Sequence, residues 1–104
     1  MLSNEECRTI AEQYLLLLEQ QSGEKFVLIP EPLETSATFA YFYNTAEFIA
    51  TGDSIHALAG NGPLMVSRLT GEIRAAGTAL PTKHYMLEFE AMNEKSGHGR
   101  QAAV

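Results

Sequence analysis

Three features of the 104-residue sequence predict an α+β fold. A capped stripe of apolar residues at helical spacing opens the chain. β-Favouring runs broken by glycine and proline fill the middle, and a second helical stripe follows Pro81. The expected order is helix, strand, strand, a short helix or turn, strand, strand, helix. About four strands form an antiparallel sheet, with the C-terminal helix packed on the same sheet face as the N-terminal helix. Residues 1–95 read as a single domain and residues 96–104 as a flexible tail with little to bury.

The first helix begins at Ser3-Asn4-Glu5-Glu6, which has the form of a capping box. Cys7, Ile10, Ala11, Tyr14, Leu17 and Leu18 recur on one face, and Ser22-Gly23 ends the element. Four consecutive leucines, 15 to 18, exceed one narrow stripe, so this helix is expected to be covered on more than one side. Cys7 lies on the stripe and reads as a buried, inert thiol.

Lys25 to Ile29 is strand-like and is closed by Pro30-Glu31-Pro32. The run TFAYFY, residues 38–43, is apolar on both faces and reads as an inner strand. Thr51-Gly52-Asp53 marks a turn, with Asp53 or Ser54 as N-cap of a short helix through Ala59. Gly60-Asn61-Gly62-Pro63 is a turn cluster. Leu64 to Arg68 and Glu72 to Ala76 then form a hairpin joined at Leu69-Thr70-Gly71. Pro81 suits the first turn of the last helix, which carries Tyr85, Met86, Phe89 and Met92.

Seven Lys and Arg against thirteen Asp and Glu give a formal net charge of −6. From Phe26 to Ser67 there is no Lys or Arg, whereas Glu31, Glu34, Glu47 and Asp53 all fall there. That bias is the reverse of what phosphate contacts require, so nucleic acid is not an expected partner. It suits a basic protein surface as partner, although charge alone is read more simply as net repulsion that keeps a small protein in solution. No apolar run is long enough for a membrane helix, and MLSNEEC lacks the pattern of a secretory signal, so a cytoplasmic location is expected.

The glycine-rich stretch 58–73 invites a phosphate-binding reading, which fails on its details. Gly62 precedes Pro63, which has no N–H to donate, no Lys follows, and a strand stands where a helix should begin. Asp53, Ser54 and His56 are sequence neighbours on a turn rather than members of a triad drawn from separate elements. The three histidines lack metal-ligand spacing. Glu88 and Glu90 stand two apart on a helix and read as solvated surface. No catalytic residue, cofactor or metal is expected.

Residues 51–90 closely resemble the immunity protein 35 family, also called YrhB-like. The matching words are T-G-D, L-A-G-N-G-P, a hydrophobic strand ending in Arg68, T-G-E, G-T-A-x-P, and a final helix from Tyr85 to Glu90. The chain departs in having Ser67 where the family often has Asp, and in lacking Trp. The resemblance implies a small cytosolic inhibitor that binds a cognate bacterial toxin domain and blocks it by direct contact. Glu31, Glu34, Glu47 and Asp53 are the acids expected to meet a cationic cleft, with Tyr41 or Tyr43 as anchors. The alternative is a chaperone-like or housekeeping interaction protein without a dedicated toxin. A monomer and a homodimer paired through a sheet edge both remain open.

Overall fold

A computed structural model describes residues 1–57 and 62–103, with the side chains of all of these except residues 56 and 95–103. Helix α1 (Asn4–Ser22) starts where the sequence places it. Ser3 Oγ accepts from the Glu6 amide at 3.1 Å, and the Glu6 carboxylate accepts from the Ser3 amide at 3.0 Å. Gly23, at φ 77°, closes the helix in the left-handed conformation. Cys7, Ala11 and Leu15, each four residues apart, form the buried line. Leu16 and Leu17 are 57% and 56% exposed, so the leucine run is not covered on a second side. With about 100° between successive residues, the two splay to opposite flanks once Leu15 points inward.

Among the described residues six antiparallel strands follow in two sheets, where the sequence predicts about four in one. A four-stranded sheet has the order β2 (Leu33–Glu34), β3 (Thr38–Tyr41), β5 (Leu64–Ser67), β6 (Ile73–Ala75). A two-stranded ribbon pairs β1 (Phe26–Leu28) with β4 (Tyr43–Thr45). The aromatic run splits at Phe42, so that Tyr41 belongs to the sheet and Tyr43 to the ribbon. Thr45 then N-caps α2 (Ala46–Thr51) by accepting from the Phe48 amide at 3.1 Å. A 3-10 turn, Ser54–His56, is capped by Asp53, whose carboxylate accepts from the Ile55 amide at 3.1 Å. The expected helix end at Ala59 and the Gly60-Asn61 turn lie outside the described residues. Helix α3 spans Thr82–Ala103. The tail expected from Ser96 lies, in its side chains, outside the described residues.

The two long helices cover opposite faces of the sheet, which corrects the expectation of a shared face. Alternation along each inner strand sends Phe39, Tyr41, Leu64 and Val66 to Cys7, Ala11 and Leu15 of α1. Ala40 and Met65 point the other way, to Met86 and Phe89 of α3. Strands apolar on both faces need two covers, and one helix supplies each.

Of the glycine-rich stretch 58–73, Gly62 and Gly71 act as backbone punctuation. A Cβ on Gly62 would lie 1.8 Å from the Ala76 carbonyl oxygen, so only glycine lets the chain pass there. Gly71, at φ 77°, closes the β5–β6 turn by donating to the Ser67 carbonyl at 2.9 Å. Ser67 Oγ accepts from the amides of Leu69 and Thr70 at 3.1 and 3.2 Å. An Asp carboxylate at this position would also offer an acceptor to those amides, so the departure at Ser67 falls on a turn cap.

Candidate protein-binding surface

The six residues singled out from the sequence do not form one patch. Glu31 and Glu34 are exposed around β2, whereas Glu47 and Asp53 are exposed on α2 and at the cap of the 3-10 turn. Tyr43 is half-buried and packs edge-on against Phe26 with ring centroids 5.6 Å apart. Tyr41 has no solvent exposure, which removes it as an anchor. Its hydroxyl donates to Asn4, with the side-chain oxygen at 2.6 Å and the carbonyl at 3.0 Å, and this ties β3 to the start of α1. The cause is its place on an inner strand, directly under a helix.

A different surface, centred on β1, gathers carboxylates and uncovered apolar side chains. The C-terminal half of α1 lies alongside β1, and a groove of about 340 Å³ between them is lined by Arg8, Glu12, Leu16, Glu19 and Val27. The outer edge of β1 is partly occupied by α1. The Phe26 amide donates to the Glu19 carboxylate at 2.7 Å, and Arg8 donates to the carbonyls of Leu28 and Ile29, both at 3.4 Å. These bonds occupy groups that an added strand would otherwise use.

Beyond Gly23 the surface continues into a recess of about 410 Å³, lined by Glu24, Lys25, Thr45, Glu47, Ile55 and Ala57. Ile55 is 80% exposed at its wall, an unusual position for an isoleucine. Glu12, Glu19, Glu24 and Glu47 outnumber Arg8 and Lys25 across the groove and recess. Of these acids, the sequence reading includes Glu47 alone. Leu16 carries a signal in the leucine run, but nothing marks Glu12, Glu24 or Ile55 as neighbours, because the β1–β4 pairing brings their elements together.

The buried polar groups serve the fold. Glu90, expected on a solvated face, is 7% exposed. Its carboxylate accepts from Thr35 Oγ1, from Ser36 Oγ at 3.2 Å and from the Ala37 amide at 2.8 Å. Burial pushes this carboxyl up, but the hydrogen bonds from Thr35, Ala37 and Ser36 outweigh it and hold the carboxyl below its ordinary range. Thr38 Oγ1 is buried without a hydrogen bond of normal geometry, although it also favours the charged carboxylate. One turn further along α3, buried Asn93 accepts from Thr70 Oγ1 at 3.0 Å and donates to the Phe89 carbonyl at 2.9 Å. Helix α3 therefore holds both hairpin tips. Glu88, in contrast, is exposed and paired with His84 at 2.8 Å.

Asp53 is engaged as a turn cap, and the His56 side chain lies outside the described residues. Burial pushes the Cys7 thiol up, which disfavours the reactive thiolate. Among the described residues no group of three or more His, Cys, Asp or Glu is placed to hold a metal ion. Among them, too, no helix is long and apolar enough to cross a membrane.

No family model matches the chain, and no solved structure matches it. The chain is 41% identical over 51 residues to the uncharacterized protein YrhB of Escherichia coli (strain K12). The aligned stretch covers 48% of this chain and 54% of that protein, so the chain spans about half the length of the curated relative it matches. The chain is thus an α+β protein with partial sequence similarity to YrhB.

Proposed function

We propose that this protein is an immunity protein, which binds a cognate bacterial toxin domain and neutralises it by direct contact. The observation that carries the reading is the surface around β1, where exposed Leu16 and Val27 share a groove with Glu12, and exposed Ile55 shares a recess with Glu24 and Glu47. Apolar side chains surrounded by like charge suit a partner that is itself cationic around an apolar centre. The long-range field of a net −6 chain speeds encounter with such a partner, and the apolar contacts then slow release. The words shared with the immunity protein 35 family across residues 51–90 support the same reading. The action is binding rather than catalysis.

The test is co-expression with the polypeptide encoded beside it, followed by purification and binding kinetics. The expected result is rescue of growth and a stoichiometric complex whose association slows as salt rises. The variant carrying Glu24→Gln, Glu47→Gln and Leu16→Asp should lose rescue while remaining folded. Unimpaired toxicity with no complex would refute the reading for that pair. Weak binding to many unfolded clients would instead favour the chaperone-like alternative.

A further inference from the structure

The opposite flank of the molecule ends in β6, the terminal strand of the four-stranded sheet. Its inner side is fixed by two bonds: the Ser67 amide donates to the Glu72 carbonyl at 2.9 Å, and the Ala76 amide donates to the Pro63 carbonyl at 2.8 Å. Residues 72, 74 and 76 therefore direct their backbone groups to β5, and Ile73 and Ala75 direct theirs outward. We infer that this outward edge is self-complementary and joins two copies of the chain, antiparallel about a two-fold axis at Ile73.

Charge selects the register. With Ile73 opposite its own copy, the two residues exchange backbone hydrogen bonds across the axis. Glu72 then lies opposite Arg74 of the second copy, and Arg74 opposite its Glu72. Both are non-hydrogen-bonded pairs, in which side chains approach most closely. Centring on Arg74 instead would set two guanidinium groups against each other, and centring on Ala75 would pair no opposite charges. Glu72 and Arg74 are each about half exposed and already lie 3.4 Å apart within one chain, so the same groups can form a four-charge cluster across the axis.

Apolar side chains stand ready on both sides of the edge. Ile10 of α1 lies close to the β5–β6 turn, 3.5 Å from a Cβ built on Gly71. Leu17, two turns further on, extends the same flank and is 56% exposed. On the other face Met92, also half exposed, contacts Arg74 at 3.6 Å. Three residues of strand make a small interface, and these flanking side chains add the apolar area that it needs. An isologous contact of this kind closes at two copies.

The experiment is sedimentation equilibrium on the full chain over a concentration series, with circular dichroism as the control for folding. The wild type is expected to pass from monomer to dimer. Glu72→Arg and Arg74→Glu, each alone, should weaken the dimer about tenfold or more by replacing two attractive pairs with repulsive ones. An equimolar mixture of the two variants should regain it. One copy then presents arginine at both positions 72 and 74, the other presents glutamate at both, and each cross-axis pair is again of opposite charge. A wild type that remains monomeric at its solubility limit overturns the inference. So does undiminished dimerisation of folded single variants, or a mixture that stays apart. The measurement needs no toxin, so its failure is distinct from failure of the immunity reading.

Discussion

Replacing Glu90 tests whether a buried carboxylate, rather than apolar packing alone, fixes the end of the sheet. Glu90→Gln keeps the shape and removes the charge. Glu90→Leu removes the acceptor altogether and leaves the Ala37 amide buried without a partner. Hydrogen bonds to an ionised group contribute about 1.5–3 kcal/mol each, neutral ones about 1, and an orphaned buried donor costs about 1–3. Three donors converge here. Because their contributions are coupled, the expected loss is about 2 kcal/mol for Gln and about 3 kcal/mol or more for Leu. For a domain of this size the larger loss lowers Tm by roughly 10 °C or more.

The assay is thermal and urea unfolding of the three proteins from pH 7 to pH 3. The folded-state carboxyl lies below its ordinary range, so its stabilisation is present above the unfolded value of about 4.3. It is lost as the pH falls through the folded value. The gap between wild type and Glu90→Gln should therefore narrow on acidification. A Leu variant that melts with the wild type, or a gap that widens toward low pH, would refute the account.

Two further outcomes follow from single contacts. Gly62→Ala should destabilise strongly, by about 3 kcal/mol or more, because its Cβ meets backbone rather than a movable side chain; equal urea midpoints would sink the claim. Burial pushes the Tyr41 hydroxyl far above its ordinary range, so the neutral form is favoured in the fold. That stabilisation is present below about pH 10 and fades as the pH rises further. Ultraviolet titration of Tyr41→Phe beside the wild type should show the missing tyrosinate step only where the wild type unfolds. An earlier step would contradict the burial.

Local rules are legible because their signals are local. Ser3 and Glu6 predict the start of α1, Gly23 its end, and Gly71 the hairpin turn. Layering is harder to read. TFAYFY announces an inner strand covered on both faces, but spacing alone does not say which helix covers which face. The break at Phe42 follows from long-range pairing of Tyr43 with Leu28 and Tyr41 with Leu64. Glu90 misleads because its charge outweighs its position: it stands four residues after buried Met86, on the same stripe. The surface around β1 is invisible in the sequence for a related reason, since its members come from five separate elements.

The grip of α3 on the two hairpin tips also bears on when the chain can finish folding. Thr35 and Glu90 are separated by 55 positions, and Arg68, which donates to the Leu2 carbonyl, by 66 from that partner. Closing such distant segments is slow, and the turn at 35–37 lacks its acceptor until residue 90 has been synthesised. A nascent chain halted before that point holds strands whose second face is bare. On the ribosome the face under α1 can be covered first, and α3 completes the core by covering the second face.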